Sequence, residues 1–324
     1  MQAMVYTNYG SPDELQMREV AKPVPKANEV LIRVRGASIN IADWYMLRGN
    51  PFMIRLMSGG LRKPKATILG TDVAGMVEAV GSAVTRFKVG DEVYGDLSAC
   101  GWGSFAEYVA APETMLALKP RNLSFEAAAS VPLAGVTALQ GVRDVAKIRH
   151  GQRVLINGAS GGVGTFAVLL AKHYGAQVTA TSSTNKMAMV RSIGADQVLD
   201  YTQVDVTQND ERYDVIFDIA AYRSMLDYRP ALCPDGLYVI AGGDPNQILK
   251  GMAFAPLMSL LGSQTARVLS AKPSAADLSE MTALIEAGSV RPVIDKCYPL
   301  AQLADAFRYF GDRHTQGKVV ISVV

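Results

Sequence analysis

The chain has 324 residues, of which 49% are hydrophobic and 19% are charged. At about 150 residues per domain this length suggests two domains, and such an apolar composition excludes a disordered chain. The 32 basic and 30 acidic residues nearly cancel, leaving a net charge of +2, so the sequence lacks the basic excess that nucleic-acid binding requires.

The first 120 residues predict short β-strands separated by turns. Residues 30–35, 73–80 and 105–109 are rich in β-branched or aromatic side chains and are bounded by turn-forming residues. This spacing predicts an irregular barrel or sandwich. At about residue 124 the pattern changes, because Ser124 precedes an alanine-rich run as a helix N-cap would, and strands then alternate with helices.

Residues 153–181 predict a complete strand–helix–strand unit. The apolar run 153–157 leads into a glycine-rich loop, and apolar residues then recur at helical spacing from Val163 to Tyr174. Gly175 stands where a helix usually ends, and 177–181 supplies the second strand. Further strand candidates at 197–199, 215–217 and 237–240 predict an α/β fold with a doubly wound parallel sheet. The last strand candidate, 318–324, is expected to return to the first domain.

The glycine-rich loop predicts dinucleotide binding. Gly158, Gly161 and Gly164 fall where a tight turn, a close approach to pyrophosphate and helix packing each exclude a side chain. Ser160 takes the place of the second glycine of the commonest pattern. A glycine-rich structural turn is the alternative. The cofactor-binding residues predicted around this loop are Gly158, Ser160, Gly161, Gly162, Val163 and Gly242.

The end of the second strand favours NADPH over NADH. An NAD site usually has a carboxylate about 20 residues beyond the glycines, whereas this chain has Ser182, and Lys186 follows. Hydroxyl groups and a cation suit the 2′-phosphate of NADPH. The alternative is that Lys186 is only a solvated residue at a helix start.

Three separated cysteines argue against a disulfide framework and favour a reducing compartment, so a cytoplasmic location is expected. The amino terminus lacks the pattern of a signal peptide, and no apolar run reaches the roughly 18 residues that span a bilayer, so no integral membrane segment is predicted. The apolar segment 251–261 is interpreted as core, substrate wall or subunit interface. Cys100 lacks a nearby histidine to activate it and is expected to be a packed residue.

The chain resembles the medium-chain dehydrogenase/reductase superfamily, and within it the zinc-independent quinone oxidoreductases. The matching motifs besides the glycine loop are Ser38-Ile39-Asn40 with Asp43, Leu69-Gly70-Thr71-Asp72-Val73-Ala74-Gly75, Gly90-Asp91-Glu92-Val93-Tyr94-Gly95, Gly103-Ser104-Phe105-Ala106-Glu107-Tyr108, Gly135-Val136-Thr137-Ala138-Leu139, Gly194-Ala195-Asp196 and Gly317-Lys318-Val319-Val320. The resemblance implies a GroES-like catalytic domain, residues 1–123 plus 291–324, around a Rossmann NADPH-binding domain, residues 124–290. It also implies a cleft for NADPH and a homodimer formed through the edge of the Rossmann sheet.

The resemblance also predicts that no zinc is bound. Zinc alcohol dehydrogenases of this superfamily have metal ligands where this chain has Asn40 and Thr71, and no histidine precedes His150. Since zinc sites need clustered thiolate, imidazole and carboxylate ligands, the first domain is expected to hold no metal.

Without a metal, hydride transfer to an electron-poor acceptor is the favoured chemistry, because it needs mainly alignment and a proton donor. The predicted function is reduction of a quinone or an α,β-unsaturated carbonyl by NADPH. The resemblance makes Tyr45 the proton donor, lets Asn40 orient the substrate or the nicotinamide, and has Asp43 brace the segment; packing and turn roles are the alternatives for Tyr45 and Asn40.

Three further positions bear on the cofactor. The resemblance has Thr137 contact the nicotinamide and Tyr201 contact the adenosine phosphate, whereas Gln316 stands where relatives often carry an arginine for the 2′-phosphate. That departure weakens the NADPH preference without reversing it. The alternative functions are an NAD(P)-dependent carbonyl reductase or alcohol dehydrogenase, and a nucleotide-binding protein without significant turnover.

Overall fold

The structure is a computed structural model that describes residues 1–57, 60–208, 210–260 and 263–323. The strands are β1 (Gln2–Val5), β2 (Gln16–Glu19), β3 (Glu29–Ser38), β4 (Asp72–Val80), β5 (Glu92–Asp96), β6 (Tyr108–Pro112), β7 (Leu116–Leu118), β8 (Arg153–Asn157), β9 (Gln177–Ser182), β10 (Gln197–Asp200), β11 (Tyr213–Asp218), β12 (Leu232–Ile240), β13 (Thr265–Val268), β14 (Ile294–Pro299) and β15 (Lys318–Ser322). The α-helices are α1 (Ile41–Arg48), α2 (Phe52–Met57), α3 (Phe125–Ala129), α4 (Pro132–Leu139), α5 (Gly162–His173), α6 (Met187–Ser192), α7 (Pro245–Leu260), α8 (Ala275–Glu286) and α9 (Leu303–Gly311).

The chain divides into two compact units. One contains Met1–Val136, Pro273–Ala287 and Pro292–Val324, and the other contains Thr137–Lys272 and Gly288–Arg291. We call them the β-rich unit and the sheet–helix unit. The domain bounds expected from the sequence, 1–123 with 291–324 around 124–290, stay a prediction.

The sheet–helix unit is built on a parallel sheet. Its described strands lie in the order β10-β9-β8-β11-β12-β13, and all of these pairs are parallel. Numbered within the unit, this is the order 3-2-1-4-5-6 of a Rossmann fold. The strand order reverses between β8 and β11. In sheets of this kind ligands bind at the point of reversal, which here is the start of the loop after β8.

The predicted strand–helix–strand unit is confirmed. β8 covers the predicted run 153–157, α5 follows the glycine loop, and β9 begins at Gln177 as expected. Gly175 follows α5 with φ +81°, a left-handed conformation that favours glycine at a helix end. The buried face of α5 includes Phe166 and Leu170, both fully buried.

In the β-rich unit the described strands lie in the order β14-β15-β3-β4-β5-β7, with β6 also paired to β3. The pairing of β15 with β3 is antiparallel, and it joins Val320 to Ser38, so the tail does return to the amino-terminal strands. Ser124 caps α3 as predicted, because its hydroxyl oxygen accepts the N–H of Ala127 at 3.2 Å.

The third predicted strand, 105–109, is partly wrong. The regular strand β6 starts only at Tyr108, because the preceding residues bond irregularly across the unit. The N–H of Phe105 donates to Leu69 at 3.1 Å, and its carbonyl accepts from Met4 at 2.9 Å. Phe105 and Ala106 are therefore buried in an irregular segment that precedes the strand.

The apolar segment 251–261 belongs to α7, except for Leu261, which lies outside the described residues. Ala255 is buried against the sheet, whereas Met252 and Phe254 are 62% and 52% exposed. Core packing therefore explains only part of this segment. Among the described residues, no helix is both long and apolar enough to cross a membrane.

Candidate functional site

The glycine loop joins the end of β8 to the start of α5. Gly158 has φ +83°, which allows the chain to turn sharply out of the strand, and Gly161 is the N-cap of α5. The N–H groups of the first helical turn, Gly162 to Gly164, have no intrahelical acceptor, as at every helix N-terminus. They supply partial positive charge to this loop, the environment that a pyrophosphate requires.

The space around each glycine distinguishes its role. A Cβ placed on Gly164 would lie 2.2 Å from the carbonyl oxygen of Gly158, so this glycine is needed for packing of α5 on the loop. A Cβ on Gly161 would meet that same oxygen only at 3.6 Å, so the loop surface at Gly161 is open. The residues therefore fit a dinucleotide pyrophosphate, held by the first-turn N–H groups over Gly161.

A buried polar network holds the first residue of the glycine loop in place. The hydroxyl of Thr181 on β9 accepts the N–H of Gly158 at 3.2 Å and donates to the side chain of Asn157 at 2.5 Å. The amide of Asn157 donates in turn to Asp218, at 2.8 Å. Burial raises the pKa of Asp218 to about 6, although hydrogen bonds from Tyr238 and Asn157 lower it. This network fixes the point at which the chain leaves β8.

The predicted 2′-phosphate residues lie at the end of β9 and shortly after it. Ser182 is buried, and its hydroxyl donates to the carbonyl of Ser183 at 3.1 Å. Lys186 is only 8% exposed, so the interpretation of this residue as a solvated lysine is wrong. The backbone N–H of Tyr201 donates to Ser182 at 3.2 Å, which brings these two predicted residues together, and the Tyr201 side chain is 60% exposed.

A carboxylate lies closer to this region than the linear sequence suggested. Asp200 pairs with Ser182 across the neighbouring strands β10 and β9. Its oxygens accept from the hydroxyls of Thr184 and Thr202, and these hydrogen bonds lower the pKa of Asp200. Although no acidic residue directly follows β9 along the chain, Asp200 lies beside the end of this strand in space.

Two other predicted cofactor residues occupy defined positions. Gly242 follows β12, and a Cβ there would lie 2.8 Å from the carbonyl oxygen of Ile219. Ile219 in turn donates its N–H to the carbonyl of Asn157, at 3.0 Å, so Gly242 lies at the same edge of the sheet as the glycine loop. Thr137 is half-buried on α4.

The predicted catalytic residues lie at α1 in the β-rich unit. Asn40 is the N-cap of α1, and Tyr45 is half-buried on the helix. The carboxylate of Asp43 accepts the N–H of Asn40 at 2.8 Å and the N–H of Gly70 at 3.0 Å, so it does brace this segment. Burial raises the pKa of Asp43 to about 7 against these two donors, which lower it.

The Asn40 side chain is part of a buried network that sequence reasoning missed. Its amide nitrogen donates to the hydroxyl of Thr71 at 2.9 Å and to the carboxylate of Asp72 at 2.8 Å. Its amide oxygen accepts from the ammonium of Lys318, which also contacts Asp72 at 3.2 Å. The side chains of Lys318 and Asp72 are 3% and 0% exposed, and Ser38 donates to Asp72 at 2.6 Å.

Asp72 also connects this network to a second helix. Its other carboxylate oxygen accepts the N–H of Leu133 at 2.8 Å, in the first turn of α4. An anion is favourable at a helix N-terminus. The signal that was available in the sequence is a lysine at the start of the mostly apolar run 318–324, because a buried charge needs a partner.

The remaining candidates give no nucleophile or metal centre. Burial raises the pKa of the half-buried Cys100 thiol to about 11, which fits the expected packed residue. Within the described ranges, no group of three or more His, Cys, Asp and Glu side chains is arranged to hold a metal ion.

Comparison with known proteins agrees with this arrangement. Residues 26–121 match the family model described as "Alcohol dehydrogenase GroES-like domain", and residues 193–321 match "Zinc-binding dehydrogenase". Together with the glycine loop at the switch point of the sheet, these matches define a nicotinamide-dependent oxidoreductase with a GroES-like and a Rossmann-like part.

Similarity to individual proteins identifies the family within this class of oxidoreductases. The chain is 36% identical to the NADPH-dependent alkenal/one oxidoreductase, chloroplastic, of Arabidopsis thaliana, over 99% of this chain and 79% of the relative. It is 33% identical to the chloroplast envelope quinone oxidoreductase homolog of the same plant, over 99% of this chain and 98% of the relative. The quinone oxidoreductase structure from Coxiella burnetii superposes with a TM-score of 0.90 at 28% identity, covering 100% and 99% of the two chains. The chain belongs to the zinc-independent quinone oxidoreductase family of the medium-chain dehydrogenase/reductase superfamily.

Proposed function

We propose that this oxidoreductase reduces a quinone or an α,β-unsaturated carbonyl with NADPH. The observation that carries the proposal is the open loop surface at Gly161, bordered by the free N–H groups of α5, which fits a dinucleotide. Similarity to an alkenal/one oxidoreductase and to a quinone oxidoreductase homolog supports the acceptor class. When bound, NADPH supplies the hydride.

The sheet–helix unit holds the cofactor in this proposal. The first-turn N–H groups of α5 bind the pyrophosphate, with Ser160, Gly162 and Val163 at its edge. Ser182 and Lys186 bind the 2′-phosphate, and Tyr201 lies against the adenosine end. The negatively charged carboxylate of Asp200 would repel a phosphate bound near it. We therefore expect a graded preference for NADPH over NADH instead of an absolute one.

The β-rich unit supplies the proton and the orientation. Tyr45 donates its hydroxyl proton to the acceptor, because an oxyanion or carbanion develops there as the hydride is added. The segment that carries Tyr45 is held by Asp43, whose carboxylate ties the start of α1 to Gly70. Thr137, the first residue of the sheet–helix unit, contacts the nicotinamide.

A substrate screen tests this function. Purified protein is mixed with NADPH and, separately, with para-quinones, ortho-quinones, enals, enones, saturated ketones and alcohols, and oxidation of NADPH is followed by absorbance. We expect turnover with quinones or enones, unchanged by a metal chelator, and a higher kcat/KM with NADPH than with NADH. Turnover restricted to saturated ketones or alcohols would support the carbonyl reductase alternative. Tight NADPH binding without oxidation would support a nucleotide-binding protein without turnover.

We also propose a homodimer and a cytoplasmic location. β13 ends the described order of the parallel sheet, so it presents an edge to which the β13 strand of a second copy can pair. The three cysteines are unpaired, which suits a reducing compartment. Sedimentation equilibrium tests the dimer, and a monomer at micromolar concentration would contradict it.

A further inference from the structure

The segment between Asp43 and Asp72 is strongly basic. Residues 44–71 contain five cations and no acidic residue, whereas the whole chain has a net charge of only +2. The rest of the chain is therefore net negative, and positive charge is concentrated on this segment. The cations are Arg48, Arg55, Arg62, Lys63 and Lys65, and all but the half-buried Arg55 are exposed. Because like charges repel one another, a surface that gathers them favours an anionic partner.

The same segment exposes large apolar side chains. Phe52 and Met53 in α2 are 62% and 58% exposed, and Leu56 and Leu61 are each 53% exposed. Single exposed apolar residues are common on protein surfaces, but a group of four within ten residues marks an interaction site. Exposed apolar and cationic side chains thus share this part of the β-rich unit.

Tyr9 joins the parts of this segment. Its hydroxyl donates to the carbonyl of Gly60 at 2.7 Å, and the guanidinium of Arg55 lies 4.8 Å from the centre of its ring. Arg55 also donates through Nε to the carbonyl of Gly49, at 2.8 Å, just after α1. The end of α1, the helix α2 and the turn at Gly60 are therefore held together. We call the following residues the α2 surface: Arg48, Phe52, Met53, Arg55, Leu56, Leu61, Arg62 and Lys63.

A cavity of about 490 Å³ opens on the α2 surface. It is lined by Gly10, Ser11, Arg48, Gly49, Asn50, Phe52 and Arg55, and none of these described residues is acidic. The carboxylate of Asp13, two residues beyond Ser11, is paired with Arg308, so it does not neutralise the cavity arginines. The guanidinium of Arg48 lies over the ring of Trp44, at 5.1 Å, which helps to hold it in place. Two guanidinium groups in one wall offer donors that match the oxygens of a phosphate group.

We propose that the α2 surface docks this protein on a membrane that contains anionic phospholipids, a property that does not depend on the proposed reaction. A lipid phosphate lies in the cavity with Arg48 and Arg55, and the apolar side chains of α2 enter the interfacial layer. Charge and apolar exposure together select this occupant. A soluble phosphate compound would pair with the arginines but leave the apolar side chains in water. A second copy of the chain, related by a twofold axis, would bring the same cations against each other.

Binding to vesicles tests the docking. Purified protein without nucleotide is sedimented with vesicles of phosphatidylcholine alone, or of phosphatidylcholine mixed with phosphatidylglycerol, at an ionic strength of about 0.15 M. We expect at least about tenfold tighter binding to the mixed vesicles, and weaker binding as salt is added. The triple variant Arg48→Gln, Arg62→Gln, Lys63→Gln should bind them about 100-fold more weakly, since each cation contributes about fivefold near an anionic surface. Phe52→Ser with Leu56→Ser should weaken binding at least about tenfold, because less apolar area is buried.

Two matched controls remove the same kinds of side chain elsewhere. Lys88→Gln, Arg149→Gln and Lys250→Gln together remove three exposed cations, so the net charge falls equally. Leu249→Ser with Met252→Ser removes two side chains that are 67% and 62% exposed on α7, where Lys250 is the only charged residue. Both controls should bind the mixed vesicles within about twofold of the wild type, because salt screens charges that lie far from the membrane. Since all substituted residues are exposed, the urea midpoints should stay close to that of the wild type.

Loss of vesicle binding in the charge variant and in the apolar variant, and in neither control, would support the docking. Wild-type protein that does not prefer the mixed vesicles would overturn it, and so would an equal loss in the controls, which would indicate non-specific attraction. Release from the mixed vesicles by millimolar inorganic phosphate at constant ionic strength would also refute it, because the cavity would then bind a soluble oxyanion. Wild-type dimers that ignore vesicles and dissociate in Phe52→Ser with Leu56→Ser would assign the surface to a second copy instead.

Discussion

Gly161→Ala is the substitution that best separates cofactor binding from folding. At this residue φ is −82°, a value that any residue adopts, and the added methyl group would meet only the Gly158 oxygen at 3.6 Å. Replacing an unstrained glycine by alanine stabilises a protein by about 0.4–1 kcal/mol, because it lowers the conformational entropy of the unfolded chain. Alanine is the poorer N-cap by a similar amount, so the free energy of unfolding should change by less than about 1 kcal/mol.

The affinity for NADPH should change much more than the stability in Gly161→Ala. The methyl group would occupy the open surface on which the pyrophosphate has to lie, and each lost 1.4 kcal/mol of binding free energy weakens affinity about tenfold. We expect the dissociation constant for NADPH to rise at least tenfold, or about 1.4 kcal/mol, in a fluorescence titration.

Gly164→Ala is the matched control. Its methyl group would overlap the Gly158 oxygen at 2.2 Å and the carbonyl carbon of Ala159 at 2.8 Å. Because backbone atoms must move, we expect a loss of stability of about 1–3 kcal/mol in urea unfolding. If Gly161→Ala bound NADPH as tightly as the wild type, the loop would not be the pyrophosphate site and the reasoning from its open surface would be refuted.

Three other substitutions test separate parts of the account. Tyr45→Phe should lower kcat for an enone about 100-fold, the usual contribution of a general acid, while the affinity for NADPH stays within about twofold; unchanged turnover would remove the proton-donor role. Thr181→Val removes the hydroxyl between Gly158 and Asn157, so KM for NADPH should rise about three- to tenfold with little change in kcat, as initial-rate kinetics would reveal. Asp218 has a pKa raised to about 6 by burial, above the ordinary 3.8, so it stabilises the folded protein below pH 4 and that stabilisation is lost as the pH rises to 6. Asp218→Asn should reduce this loss, at most about 3 kcal/mol, when urea unfolding is compared at pH 4 and pH 7; an equal loss in both proteins would contradict the assignment.

The parts of the molecule that the sequence predicted are those encoded by neighbouring residues. The run 153–157, the glycines and the helical repeat of α5 lie in one continuous stretch, so local patterns suffice to place the dinucleotide loop. The N-cap at Ser124 is equally local. In contrast, the aromatic and β-branched side chains of 105–109 predicted a strand, although the regular strand begins only at Tyr108, because such side chains also suit a buried irregular segment.

The site features that the sequence did not predict depend on distant residues. Lys318 contacts Asn40 across 278 positions and Asp72 across 246, and no periodicity along the chain links them. Asp200 stands beside Ser182 only because β10 pairs with β9. The expectation that no carboxylate lies near Ser182 is right for the residues that directly follow it in the sequence. It is wrong for the folded protein, because the neighbouring strand carries Asp200.

The most direct test of the central claim follows the hydride itself. NADPH deuterated at the transferable position of the nicotinamide is incubated with the protein and a simple enone, and the product is examined by mass spectrometry and NMR. We predict a saturated ketone that carries one deuterium at the former β-carbon, formed in equal amount to the NADPH consumed. Deuterium at the carbonyl carbon of an allylic alcohol, or no deuterated product from any enone or quinone, would contradict the account.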